Sequence, residues 1–172
     1  MALTLLRHAA LPQKYQERYI GWVDIHIDPK LFDHKKVALL KTQKFDLIYS
    51  SDLARCTQTL EMIDFNTYIK DARLREVRFK PEIEGKNFYE IEKLASYKKK
   101  YVKKRKRWHK YICEETQEDF EARIKSFIAE LPKDKEILIC SHAGTLQKMM
   151  VFLGYTKNKI EYLEQIRIDN VL

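Results

Sequence analysis

Two short apolar runs in this chain, Ala2 to Leu6 and Glu136 to Cys140, each break off at a histidine, in Leu5-Leu6-Arg7-His8 and Cys140-Ser141-His142-Ala143-Gly144. Continuous apolar runs of this length suit strands buried on both faces, as in a parallel sheet covered by helices. Ligands of such sheets bind at the carboxyl ends of the strands. Both imidazoles are therefore expected on one edge, with Arg7 beside them. A permanently charged guanidinium and two titratable rings together point to an anion under nucleophilic attack.

The remaining pattern agrees with that sheet. Phe45 to Tyr49 and Thr67 to Ile69, extending towards Arg73, read as further strands, and Gln165 to Ile168 as a short fifth. Helical stripes lie between them. One begins at a Ser51 or Asp52 cap and carries Leu53, Leu60 and Ile63. A second begins at Thr116, carries Phe120, Ile124, Phe127, Ile128 and Leu131, and is closed by Pro132. A third runs from Gly144 to Leu153, with Gly154 beyond its end. Strands alternating with helices predict a three-layer α/β/α fold with a mostly parallel central sheet. The 172 residues are read as one domain, 1–172, with a charged helix or helix pair at about 87–112 inserted as a lid over the sheet's edge.

The net charge of +8 has a local origin. Lys98 to Lys110 holds nine basic residues and no acid, and without them 24 basic side chains face 25 acidic ones. A general nucleic-acid affinity therefore does not follow from the overall charge. The run has two readings: a solvated helix face, or a funnel or patch for anions that extends to nucleic acid through Lys98–Lys110. Trp108, Tyr101 and Tyr111, interleaved with it, are expected to pack. No apolar stretch approaches the ~20 residues of a membrane span, and the apolar start reads as a strand, not a signal peptide. Three scattered cysteines without metal-ligand spacing read as reduced thiols in a cytoplasm.

In chain order, the four strands are followed by Arg7-His8, by Ser50-Ser51-Asp52-Leu53-Ala54-Arg55-Cys56-Thr57-Gln58-Thr59-Leu60-Glu61, by Leu74-Arg75-Glu76-Val77-Arg78-Phe79, and by Ser141-His142-Ala143-Gly144. These segments resemble the ordered motifs of the histidine phosphatase superfamily, which includes the cofactor-dependent phosphoglycerate mutases. The Ser50 to Glu61 stretch is the most specific match, and the resemblance runs from about residue 3 to 153. It implies a phosphomonoesterase with His8 as nucleophile, His142 as second imidazole at the phosphoryl group, and Glu76 as acid and then base. Arg7, Arg55 and Ala143 would bind the substrate phosphate. No metal or other cofactor is implied, and the expected partner is a small phosphate ester.

The resemblance weakens after His8. The family often carries E-T-x-x-N there, with polar phosphate contacts, whereas this chain has Ala9-Ala10-Leu11-Pro12-Gln13-Lys14. Lys14 is the candidate replacement cation. Ala9 in place of glycine requires a negative φ. Arg18 to Asp24 is similar to an R-Y-x-G-x-x-D stretch of α-ribazole phosphatases, and the short chain favours hydrolysis over the mutase reaction. A mutase, or a non-catalytic polyanion-binding protein on the same fold, are the alternatives. Oligomeric state has no signature in the sequence.

Overall fold

The computed structural model describes residues 1–169. Five strands, β1 (Ala2–Arg7), β2 (Leu47–Ser50), β3 (Ile69–Lys70), β4 (Glu136–Ser141) and β5 (Gln165–Ile168), form one sheet in the order β3-β2-β4-β1-β5. The first four run parallel and β5 pairs antiparallel with β1. The fold is thus α/β with a mostly parallel sheet, as expected. Because β1 and β4 are in register from Ala2↔Glu136 to Arg7↔Ser141, His8 and His142 leave the sheet side by side.

Side-chain alternation along the central strands divides the core. Leu3, Leu5, Ile137 and Ile139 face one layer, with Phe120, Ile124 and Phe127 of α5 (Gln117–Ala129) and Leu146, Met149 and Met150 of α6 (Ala143–Phe152). Leu6, Leu138 and Cys140 face the other, with Val37 and Leu40 of α1 (His34–Thr42) and Cys56 and Leu60 of α2 (Ala54–Met62). Each fully buried Leu or Ile adds roughly 1.5–3 kcal/mol. Helix α1 has no counterpart in the sequence reading: only Val37 and Leu40 of His34-Lys35-Lys36-Val37-Ala38-Leu39-Leu40-Lys41-Thr42 are buried, so it lacks a legible stripe.

One expectation is corrected. The third strand is only Ile69–Lys70, exposed at the sheet's edge, because Asp71 accepts from the Arg73 amide and opens a turn at Ala72–Leu74. The 87–112 insertion, read as one helix or a helix pair, is a pair of short helices. It holds α3 (Phe88–Ile91), closed by an Asn87/Glu90 capping box, and α4 (Arg105–Ile112), with turns between. Like charges four residues apart, Lys99 with Lys103 and Lys100 with Lys104, disfavour a helix through 98–104. The insertion packs Ile91, Tyr111 and Ile112 beside Leu74, Ile83 and Phe120, next to an isolated bridge between Phe79 and Cys113. Its aromatics pack on each other, Trp108 lying 5.8 Å from Phe88 and 5.7 Å from Tyr111 between ring centroids.

Candidate active site

The end of β1 places His8 at the sheet's carboxyl edge, where its amide donates to the Ser141 carbonyl (3.0 Å). Its ring Nδ1 lies 2.7 Å from the Ala9 carbonyl oxygen. A carbonyl only accepts, so Nδ1 carries the proton and Nε2 keeps its lone pair. Nε2 has no hydrogen-bond partner among the described residues, and the ring borders a cavity of about 170 Å³. The Ala9 amide donates to Thr59 Oγ1, and Ala9 is not among the residues with positive φ, so its methyl group is accommodated.

The His142 ring stands 5.2 Å from that of His8. Arg55 Nε donates to its Nδ1 (3.0 Å), so its proton sits on Nε2, 2.9 Å from Ser51 Oγ. Arg55 is itself almost completely buried and gives two further bonds, Nη1 to the Val23 carbonyl and Nη2 to the Gly21 carbonyl. Three of its five N–H groups are thereby spent on positioning, leaving two for a ligand. The 18–24 stretch therefore has a structural meaning: it clamps Arg55. Gly21 has no room for a side chain, since a Cβ would meet the Val77 carbonyl oxygen at 2.6 Å. Asp24 Oδ1 accepts from the Ala54 amide (2.7 Å) and caps α2 from a distance. Neither Ser51 nor Asp52 is the cap residue, which is Leu53; Asp52 instead pairs with Arg75 at 2.5 Å. With the Ala54 amide taken by Asp24, that donor of the α2 N-terminus is not open to an anion.

Glu76 closes the site. Its carboxylate accepts from the Val77 amide (3.0 Å) and the Gly144 amide (2.9 Å), at the start of α6. The carboxylate lies so close that a Cβ on Gly144 would sit 2.5 Å from Oε1. Gly144→Ala is expected to displace Glu76 and lower kcat by about 10²-fold with little change in KM; steady-state kinetics giving wild-type kcat would contradict this. Two donors fix the Glu76 backbone: Trp22 Nε1 (2.8 Å) and Arg123 Nη2 (3.0 Å) bind its carbonyl. Arg123 is held in turn by Glu115 at 2.6 Å and donates to the Arg73 and Arg75 carbonyls.

Arg7, His8, Arg55, Glu76, His142 and Ala143 all border the same cavity. Lys14 does not. Its ammonium lies over the Tyr15 ring, 4.9 Å from the centroid, because Gln13–Tyr15 form a tight turn that presents Leu11 and Tyr15 to the cavity. The altered flank is thus an apolar and aromatic wall. The sequence reading missed Tyr162, and named Arg18 only as the start of the 18–24 stretch, not as a residue of the cavity. Tyr162 stacks on the Arg7 guanidinium at 3.9 Å, and Arg7 Nη1 donates to the Ile160 carbonyl. Arg18 borders the cavity and is paired with Glu90. Cys56 and Cys140 are buried beneath the site, and burial pushes the Cys113 thiol up to about 12.

Burial, then the charge of Arg55 and of Arg7, holds the His8 pKa well below the ordinary value. Burial and then Arg55, His8, Arg7 and Arg123 do the same for His142. Both rings are neutral in the folded protein near pH 7. Unfolded histidines bind protons below about pH 6.5, whereas these folded ones do not, so stability is lost as pH falls from there towards the folded values. The slope is about 1.4 kcal/mol per pH unit for each ring. Denaturant titrations in this window should give a shallower pH slope for His142→Asn than for the wild type; equal slopes would contradict the neutral pair.

Among the described residues, no three His, Cys, Asp or Glu side chains gather to hold a metal ion, and no helix is long and apolar enough to cross a membrane. The profile of the Histidine phosphatase superfamily (branch 1) matches residues 3–171. The protein named "Putative phosphoserine phosphatase 2" of Hydrogenobacter thermophilus is 31% identical, over 98% of this chain and 85% of its own length. The solved structure described as "a putative alpha-ribazole-5'-P phosphatase" from Escherichia coli superimposes with a TM-score of 0.77 at 20% identity, over 97% of this chain and 89% of its own. Phosphoglycerate mutase from Thermus thermophilus superimposes with a TM-score of 0.72 at 19% identity, over 99% of this chain and 94% of its own. The family match supports phosphatase activity, and with motifs, fold and profile agreeing along nearly the whole length, this chain belongs to the histidine phosphatase superfamily.

Proposed function

We propose that the protein is a metal-independent phosphomonoesterase that works through a phosphohistidine on His8. The observation that carries this reading is the free Nε2 lone pair of a neutral, buried His8, bordering a small cavity between two arginines. Arg7 Nε is buried with no partner among the described residues, a donor that a phosphate oxygen would satisfy. Arg7 and Arg55 thus balance the charge of the ester, and α6 adds the favourable end of its dipole at Ala143.

In the first step His8 Nε2 bonds to phosphorus while the P–O bond to the alcohol breaks, and Glu76 gives its proton to the leaving oxygen. In the second, water bonds to phosphorus, its proton returns to Glu76, the N–P bond breaks and phosphate leaves. Here His142 is a neutral ring between Arg55 and Ser51, and it orients the guanidinium as well as bordering the phosphoryl group.

The cavity is small for a ligand site and favours a compact leaving group. Of the two activities in the phosphatase relatives' names, phosphoserine hydrolysis fits that size better than a ribazole phosphate. The test is a panel of phosphate esters assayed in EDTA. Hydrolysis of p-nitrophenyl phosphate and of phosphoserine without added metal is expected. Activity that depends on a divalent metal, or interconversion of phosphoglycerates faster than phosphate release, would overturn the reading.

A further inference from the structure

The strongest concentration of unpaired charge lies away from the catalytic pocket, on the outer face of the insertion. Lys80, Lys100, Arg107 and Lys110 line a second cavity of about 500 Å³ together with Tyr101 and Tyr111, and no acidic side chain borders it. The cations come from separate segments. Arg107 and Lys110 lie one turn apart on α4, while Lys80, arriving beside the Phe79–Cys113 bridge, donates its ammonium to the Lys110 carbonyl (3.1 Å). Of the nine basic side chains between 98 and 110, only Lys106 has an acidic partner among the described residues, Glu118 at 3.9 Å. Four cations around one concavity repel each other unless an anion is present.

We propose that this cavity is a binding site for a compact polyphosphate group, distinct from the catalytic pocket. Its volume is that of a small-molecule site, and several phosphates close together match four converging positive charges better than one phosphate does. The tyrosine rings stack on each other at 4.7 Å, and Tyr111 is buried against Trp108 and Tyr97. They form a wall instead of open platforms for successive bases, which argues against single-stranded nucleic acid as the occupant.

Titration calorimetry of the full chain with inorganic tripolyphosphate tests the site without requiring turnover. Binding is expected to weaken with salt, and to weaken by about tenfold or more in Lys100→Ala/Arg107→Ala, while p-nitrophenyl phosphate hydrolysis is unchanged. A nucleoside triphosphate binding as tightly as tripolyphosphate supports recognition of the phosphate chain whatever carries it. Unaltered tripolyphosphate affinity in the double variant would overturn the proposal by placing the ligand elsewhere. So would an oligonucleotide whose affinity rises with length beyond that of tripolyphosphate.

Discussion

His8→Asn is expected to fold and to lose phosphomonoesterase turnover by about 10⁴- to 10⁶-fold, the scale seen when a nucleophile is removed. Asparagine keeps a polar group near the Ala9 carbonyl but supplies no lone pair on an aromatic nitrogen, so the covalent step has no substitute. Phosphate binding should survive, because Arg7 and Arg55 are held by other contacts: Ile160 and Tyr162 for the first, Gly21, Val23 and His142 for the second. The checks are kcat with p-nitrophenyl phosphate, product inhibition by orthophosphate, and circular dichroism. A folded variant retaining a tenth of wild-type kcat would remove His8 from the chemistry.

Glu76→Gln is expected to lower kcat by roughly 10²- to 10⁴-fold, with KM falling alongside kcat wherever phospho-enzyme accumulates. The amide can still occupy the space beside Gly144 but cannot exchange a proton with the leaving oxygen or with water. The loss should depend on the leaving group. For p-nitrophenol, which leaves without protonation, the first step is spared and phospho-enzyme should accumulate; for an alkyl phosphate such as phosphoserine, both steps suffer. A burst of p-nitrophenol followed by slow turnover is the kinetic signature, and an equal loss for both esters with no burst would contradict the dual role of Glu76.

The parts of this site that could be read from the sequence share one property: each sits at or just after the carboxyl end of an apolar run. Arg7 and His8 after β1, Arg55 after β2, and His142 and Ala143 after β4 were legible because parallel pairing brings those ends together. Glu76 was legible only through its family motif, since β3 stops at Lys70 and a turn intervenes. The supports were less visible. Gly21 and Val23 hold Arg55 through backbone carbonyls, which any residue type supplies. Arg123 reaches Glu76 from the middle of α5, within a stripe that reads simply as an amphipathic helix. Tyr162 arrives from a segment with no periodicity, and Lys14 was misplaced because a tight turn at Gln13–Tyr15 cannot be inferred from a lone basic residue. The same limit applies to residues 87–112, where the like-charged middle between α3 and α4 does not sustain a helix.

The claim that most depends on these observations is the covalent one: the lone pair on Nε2 of a neutral His8 takes the phosphoryl group. Glu76→Gln mixed with p-nitrophenyl phosphate, quenched in base within the burst, and digested for mass spectrometry tests it directly. An acid-labile phosphoryl group on the peptide containing His8, absent in His8→Asn/Glu76→Gln, is the expected result. Turnover with no phosphorylated peptide, or a phosphoryl group on any other residue, would contradict it.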